Sequence, residues 1–83
     1  MNTDAKKDLE KQVIEITARL LRVDSKEVKP SHHLTMDLGA ESIQKVELMT
    51  TLEGELGVEL NEDRVADVEQ VSDMIQLVSE SYR

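Results

Sequence analysis

Apolar side chains recur at Leu9, Val13, Ile16 and Leu20, the i, i+4, i+7, i+11 spacing of one stripe on an amphipathic helix. Lys7, Lys11, Glu15, Arg19 and Arg22 fall on the opposite side, so a first helix is expected from about Asp4 to Leu21. Residues 1–4 read as a flexible terminus. Asp24 followed by Glu27 has the form of a capping box, which predicts a short helical turn directly after the first helix. Pro30 opens a loop that runs to Glu41, and it pushes Lys29 toward an extended conformation. A second helix is expected from about Ser42 to Leu56, with Leu48, Met49, Leu52 and Leu56 on its core side and Gly57 as its stop. Asn61 suits the cap of a short helix near Glu62–Val65. Val71, Ile75, Val78 and Tyr82 repeat the spacing of the first helix, and Met74 and Leu77 widen that face, giving a last helix to about Ser81. No stretch alternates with period two, so no sheet is expected. The pattern predicts an all-α fold: a small four-helix bundle of three longer helices and one short one, with a long first loop.

The chain's 83 residues fit one domain, spanning 1–83. A domain of this size buries only about 60% of the surface its unfolded chain exposes. One modest core is expected, and no deep internal active site. Cysteine is absent, so neither a disulfide framework nor thiolate chemistry comes from the protein itself. Met1 to Asp8 is polar and lacks the apolar segment of a signal peptide. No apolar run approaches the ~20 residues needed to span a membrane. A cytoplasmic location without membrane insertion is therefore expected. The net charge of −8 is uneven: residues 37–69 hold ten acidic side chains against Lys45 and Arg64. Such a field repels nucleic acid and attracts basic protein surfaces. Acidity that serves only solubility is the competing explanation.

Asp37-Leu38-Gly39-Ala40-Glu41-Ser42-Ile43 is the most informative stretch. Glycine permits a tight turn just before a helix, and a serine then stands at the helix start. A plain N-cap serine is the structural alternative. In a capping box led by Ser42, Glu or Gln would stand three residues later, but Lys45 does. A cation there also faces the wrong end of the helix dipole, so capping alone explains this serine poorly. His32 and His33 are adjacent and do not converge as metal ligands do; a structural or solvent-facing role and no metal are expected. Asn61-Glu62-Asp63 lacks the glycine and the spacing of a calcium loop. An enzyme using Ser42 with His32 or His33 would need a base, an orienting group and oxyanion donors in a dry site. A small bundle with a surface serine offers little of this, and no catalytic residue is expected.

The same segment resembles the acyl carrier protein signature Asp-Leu-Gly-Ala-Asp-Ser-Leu, and Val46-Glu47-Leu48 matches the Val-Glu-Leu that follows it in many members. Leu34 stands where an apolar residue precedes the signature, and Asp73, Ile75 and Val78 fit the last helix. The resemblance covers about residues 6–80, and helix order, loop length and acidity agree with it. It implies that Ser42 is esterified by 4′-phosphopantetheine, whose thiol carries acyl chains as thioesters in fatty-acid, lipid or polyketide-type synthesis. It implies a monomer that meets a phosphopantetheinyl transferase and acyl-loading and acyl-processing enzymes with basic docking surfaces. Departures from the pattern are Glu41 for Asp, Ile43 for Leu, Gln44 and Lys45 for an acid and a small residue, Thr50 for an exposed Met, Gly54 for Glu, and Leu56 for Phe. They point to a specialised member.

Ile43, Glu47, Thr50 and Gly54 share a stripe roughly opposite Leu48, Met49, Leu52 and Leu56. Ile43 is thus expected to be exposed beside acids, a fitting anchor for a protein partner. Glu41, Glu47, Glu53 and Glu62 are the expected acidic contacts. Two other readings compete with the acyl carrier. An acidic interaction module without a prosthetic group needs the charge pattern but not Ser42. An aminoacyl or peptidyl carrier shares the serine but is favoured less by the acidity.

Overall fold

The computed structural model describes residues 3–81, with side chains described from Lys7. Four α-helices follow in order: α1 (Thr3–Leu21), α2 (Ser42–Leu56), α3 (Glu62–Val65) and α4 (Val71–Ser81). A 3₁₀ turn, Ser25–Glu27, lies in the first loop. No strand forms among the described residues, only an isolated antiparallel bridge between His33 and Gln70. The fold is the expected all-α bundle, with α1 in contact with both α2 and α4. Tyr82, expected on the last apolar stripe, lies outside the described residues.

The apolar stripes form the core. Val13 and Ile16 of α1, Leu48, Met49 and Leu52 of α2, and Val71, Met74, Ile75, Leu77 and Val78 of α4 are buried. Leu9, Leu20 and Leu56 lie half-buried at its edge. The buried face of α1 is wider than one stripe, because Thr17 and Ala18 are buried too. Thr17 is tolerated there because its hydroxyl donates to the Val13 carbonyl at 2.7 Å, which removes the cost of an unpaired buried polar group.

The first loop is a structural element in its own right. Asp24 caps the 3₁₀ turn by accepting from the Lys26 N–H at 2.9 Å. Val28, Leu34 and Ala40 insert into the core. The loop is laced to the start of α4: the N–H groups of Val71 and Ser72 donate to the carbonyls of His32 and Pro30, and that of Leu34 donates to the Glu69 carbonyl. The first N–H groups of a helix lack partners within it, and here the loop supplies them. Gly57 ends α2 in the left-handed conformation, φ 67°, which glycine adopts without a Cβ penalty. Asn61 caps α3 as expected, its Oδ1 accepting from the Asp63 N–H at 2.8 Å.

Among the described residues, two ion pairs join helices. Arg19 of α1 pairs with Glu55 of α2, and Arg64 of α3 pairs with Glu80 of α4 at 2.6 Å. Each guanidinium is raised above its ordinary pKa, first by the hydrogen bond to its carboxylate and then by that charge.

Candidate functional site at the start of helix two

Residues 33–42 form a short chain of caps and turns that delivers Ser42 to the surface. Leu34–Leu38 is a single turn. At its start, His33 accepts through Nδ1 from the N–H groups of Thr35 and Met36, each at 3.1 Å. The His33 N–H donates to Asp37 Oδ2 at 2.7 Å. At its end, the Gly39 N–H donates to the Thr35 carbonyl and the Ala40 N–H to the Leu34 carbonyl. These two bonds are nested one inside the other across Gly39, whose φ is 74°, a left-handed conformation that glycine adopts without a Cβ penalty. Leu34 and Ala40, at the two ends, are buried, so the turn is anchored from both sides.

The start of α2 shows why capping alone explains Ser42 poorly. Its N-cap is Glu41, not Ser42. Glu41 and Gln44 form a capping box in which Gln44 Oε1 accepts from the Glu41 N–H at 2.9 Å. A serine is statistically the better cap, but the three-residue spacing of Glu41 and Gln44 competes for the same backbone groups and wins. Ser42 therefore occupies the first helical position. It is exposed, and no hydrogen bond of its hydroxyl is found among the described residues.

Around it, Ile43 is 64% exposed, as its stripe predicts, and Glu41, Glu47, Thr50, Gly54 and Glu62 are exposed as well. Glu53 differs. It is half-buried, and its Oε2 accepts from the Leu60 N–H at 2.9 Å, tying α2 to the segment before α3. Two further exposed apolar residues were not singled out by the sequence pattern: Val46, 58% exposed, and Met36, 82% exposed at the turn before the site. Val46 also helps line a cleft of about 240 Å³ between α2 and α3, with Met49, Leu60 and Val65 as its other apolar members. The histidines have structural partners: His32 Nδ1 accepts from the Lys29 N–H at 3.2 Å, and His33 caps the turn. Among the described residues, no three His, Cys, Asp or Glu side chains gather as a metal site would require.

Residues 11–78 match the family described as "Phosphopantetheine attachment site". The chain belongs to the acyl carrier protein family. It is 38% identical over 71 residues to an acyl carrier protein of Nitratidesulfovibrio vulgaris, covering 86% of this chain and 93% of the relative. It is 35% identical over 72 residues to one of Rickettsia canadensis, covering 87% and 84%. A solved structure of a candidate acyl carrier protein of Mycobacterium tuberculosis superposes with a TM-score of 0.82 at 25% identity, covering 87% of this chain and 96% of that one. Proteins of this family are carriers, and their prosthetic group is 4′-phosphopantetheine joined covalently. The start of α2 fits such a group. An exposed hydroxyl stands at the positive end of a 15-residue helix, where a phosphodiester anion is favoured. No helix among the described residues is long and apolar enough to cross a membrane.

Proposed function

We propose that Ser42 is the residue that carries the phosphopantetheine arm, and that the whole chain acts as one non-catalytic carrier domain. The observation that carries this reading is the separation of tasks at the start of α2. Glu41 and Gln44 do the capping, so the exposed Ser42 hydroxyl has no structural role to give up when it is esterified. The chemistry belongs to the arm, whose thiol holds acyl groups as thioesters; the protein contributes the tether and a surface. The apolar cleft between α2 and α3 is a suitable shelter for the first part of an acyl chain. The partners are a phosphopantetheinyl transferase and acyl-loading and acyl-processing enzymes with basic surfaces, met in the cytoplasm by a monomeric carrier.

The test is intact mass after coexpression with a phosphopantetheinyl transferase. The wild-type chain gains the mass of one phosphopantetheine. Ser42→Ala gains none, while its melting curve stays close to that of the wild type because Ser42 is not the cap. An arm found on Ser25, Ser31 or Ser72 of the Ser42→Ala chain would refute the assignment.

A further inference from the structure

We infer that His33 is a positioning residue for the attachment site, acting as a neutral imidazole cap on the turn that presents Met36 and leads into Glu41-Ser42; the consequence for modification rests on Ser42 being the attachment residue. Helix and turn starts are usually capped by Ser, Thr, Asp or Asn. Here the task falls on an imidazole nitrogen that takes two backbone N–H groups, those of Thr35 and Met36. A neutral imidazole has one acceptor nitrogen, and the imidazolium has none. Acceptance at Nδ1 therefore fixes the proton on Nε2, and a second proton removes the cap from both N–H groups together. An oxygen cap of Asn would hold them at any pH.

The turn links this event to the site. Its two buried ends, Leu34 and Ala40, hold it to the core, the exposed Met36 follows the conformation between them, and Glu41-Ser42 continues directly from Ala40. His33 is also joined to its surroundings by charge. Asp37 accepts its N–H, and His32 and Lys29 precede it in the chain. On the side of α4, Gln70 bridges to it, Glu69 accepts from Leu34, and the Asp73 carboxylate accepts from the N–H groups of Glu69 and Gln70.

The experiment compares the wild type, His33→Asn, His33→Ala and His32→Asn as full-length apo chains. The first readout is hydrogen-exchange protection of the Thr35 and Met36 amides, corrected for intrinsic rates. The second is the rate of holo formation by a phosphopantetheinyl transferase with coenzyme A. In His33→Ala, protection of both amides and the modification rate fall by roughly fivefold, the scale of one lost cap. His33→Asn rescues both. His32→Asn keeps the wild-type protection and rate. Wild-type protection in His33→Ala, or a failure of His33→Asn to restore protection and rate, overturns the proposal. If His33→Ala fails to fold, His33→Leu, which keeps the bulk but has no acceptor, takes its place in the same comparison. Absence of modification in every chain, the wild type included, counts against Ser42 as the attachment residue, while the amide readout still judges the cap.

Discussion

A glycine in the middle of a helix gives up about 1 kcal/mol relative to alanine, through backbone freedom lost on folding. Gly54 is such a residue in α2, and a Cβ built on it would meet nothing within 4 Å. The close approach that would justify a glycine is therefore not made by this chain. Gly54→Ala is expected to stabilise the protein by about 0.5–1 kcal/mol, read as a higher urea midpoint with an unchanged slope. An unchanged midpoint would show that the helix is already frayed at this point. Gly39 has equal space, yet its φ of 74° makes any side chain strained there, so only Gly54 is a free gain. The same distinction governs what was legible at this scale. The exposure of Ile43 follows from its register, and Lys45 in place of Glu or Gln already argued against Ser42 as the cap, whereas the box of Glu41 and Gln44 went unread because glutamate is not among the preferred caps. Thr17 went unread because a polar residue is not counted as core, although its spacing places Val13 O within reach of its hydroxyl.

At the scale of elements, the helices follow from their apolar periods, the stop of α2 from Gly57 and the start of α3 from Asn61. The first loop does not. Val28, Leu34 and Ala40 are buried at irregular spacing, and no period can separate them from chance apolar residues in a polar segment. The lacing of this loop to α4 joins residues about forty apart in sequence, which a local pattern cannot express. Leu34 tests its worth. It is 1% exposed, and Leu→Ala in a well-filled core costs about 2–5 kcal/mol. That is a large share of the 5–15 kcal/mol that holds a typical domain. Leu34→Ala is expected to lower the melting temperature severely and to expose the amides of Val71 and Ser72 to exchange, since their acceptors lie in the same loop. A variant with near-normal melting would show that the loop adjusts without cost and that α4 is capped independently of it.

For the whole molecule, charge is expected to bear on both stability and choice of partner. Eighteen acids face ten Lys and Arg residues, and Arg19 and Arg64 are engaged at Glu55 and Glu80. Salt screens repulsion beyond about 10 Å at 0.1 M. It also weakens the two exposed pairs, but these contribute little, so added NaCl is expected to raise the melting temperature, and a fall would show that the pairs outweigh the repulsion. The same field supports the proposed face for partners. Ile43 and Val46 are exposed apolar residues on α2, with Glu41 and Glu47 exposed among them, and Glu62 opens α3. Glu53 is less available because it holds the Leu60 N–H. Opposite charges at such a face chiefly speed encounter and select partners, while the apolar contacts slow release. Glu47→Lys is expected to slow modification by a phosphopantetheinyl transferase about tenfold at low salt and less at high salt, in line with steering by charge. Glu27→Lys, the same reversal on the exposed 3₁₀ turn, changes net charge equally and serves as the comparison. Equal rates for the two variants would mean that only total charge matters and that α2 is not the docking face. Lys45, Thr50 and Gly54 further alter this surface from the common family pattern. A basic groove shaped for acids there meets a lysine and two uncharged positions, which disfavours the wrong partner. Loading by a general fatty-acid synthase set is therefore expected to be slower than loading by the carrier's own enzymes. Replacing Lys45, Thr50 and Gly54 together by Glu, Met and Glu should narrow that gap, and an unchanged gap would place specificity elsewhere, with Met36 the next residue to exchange.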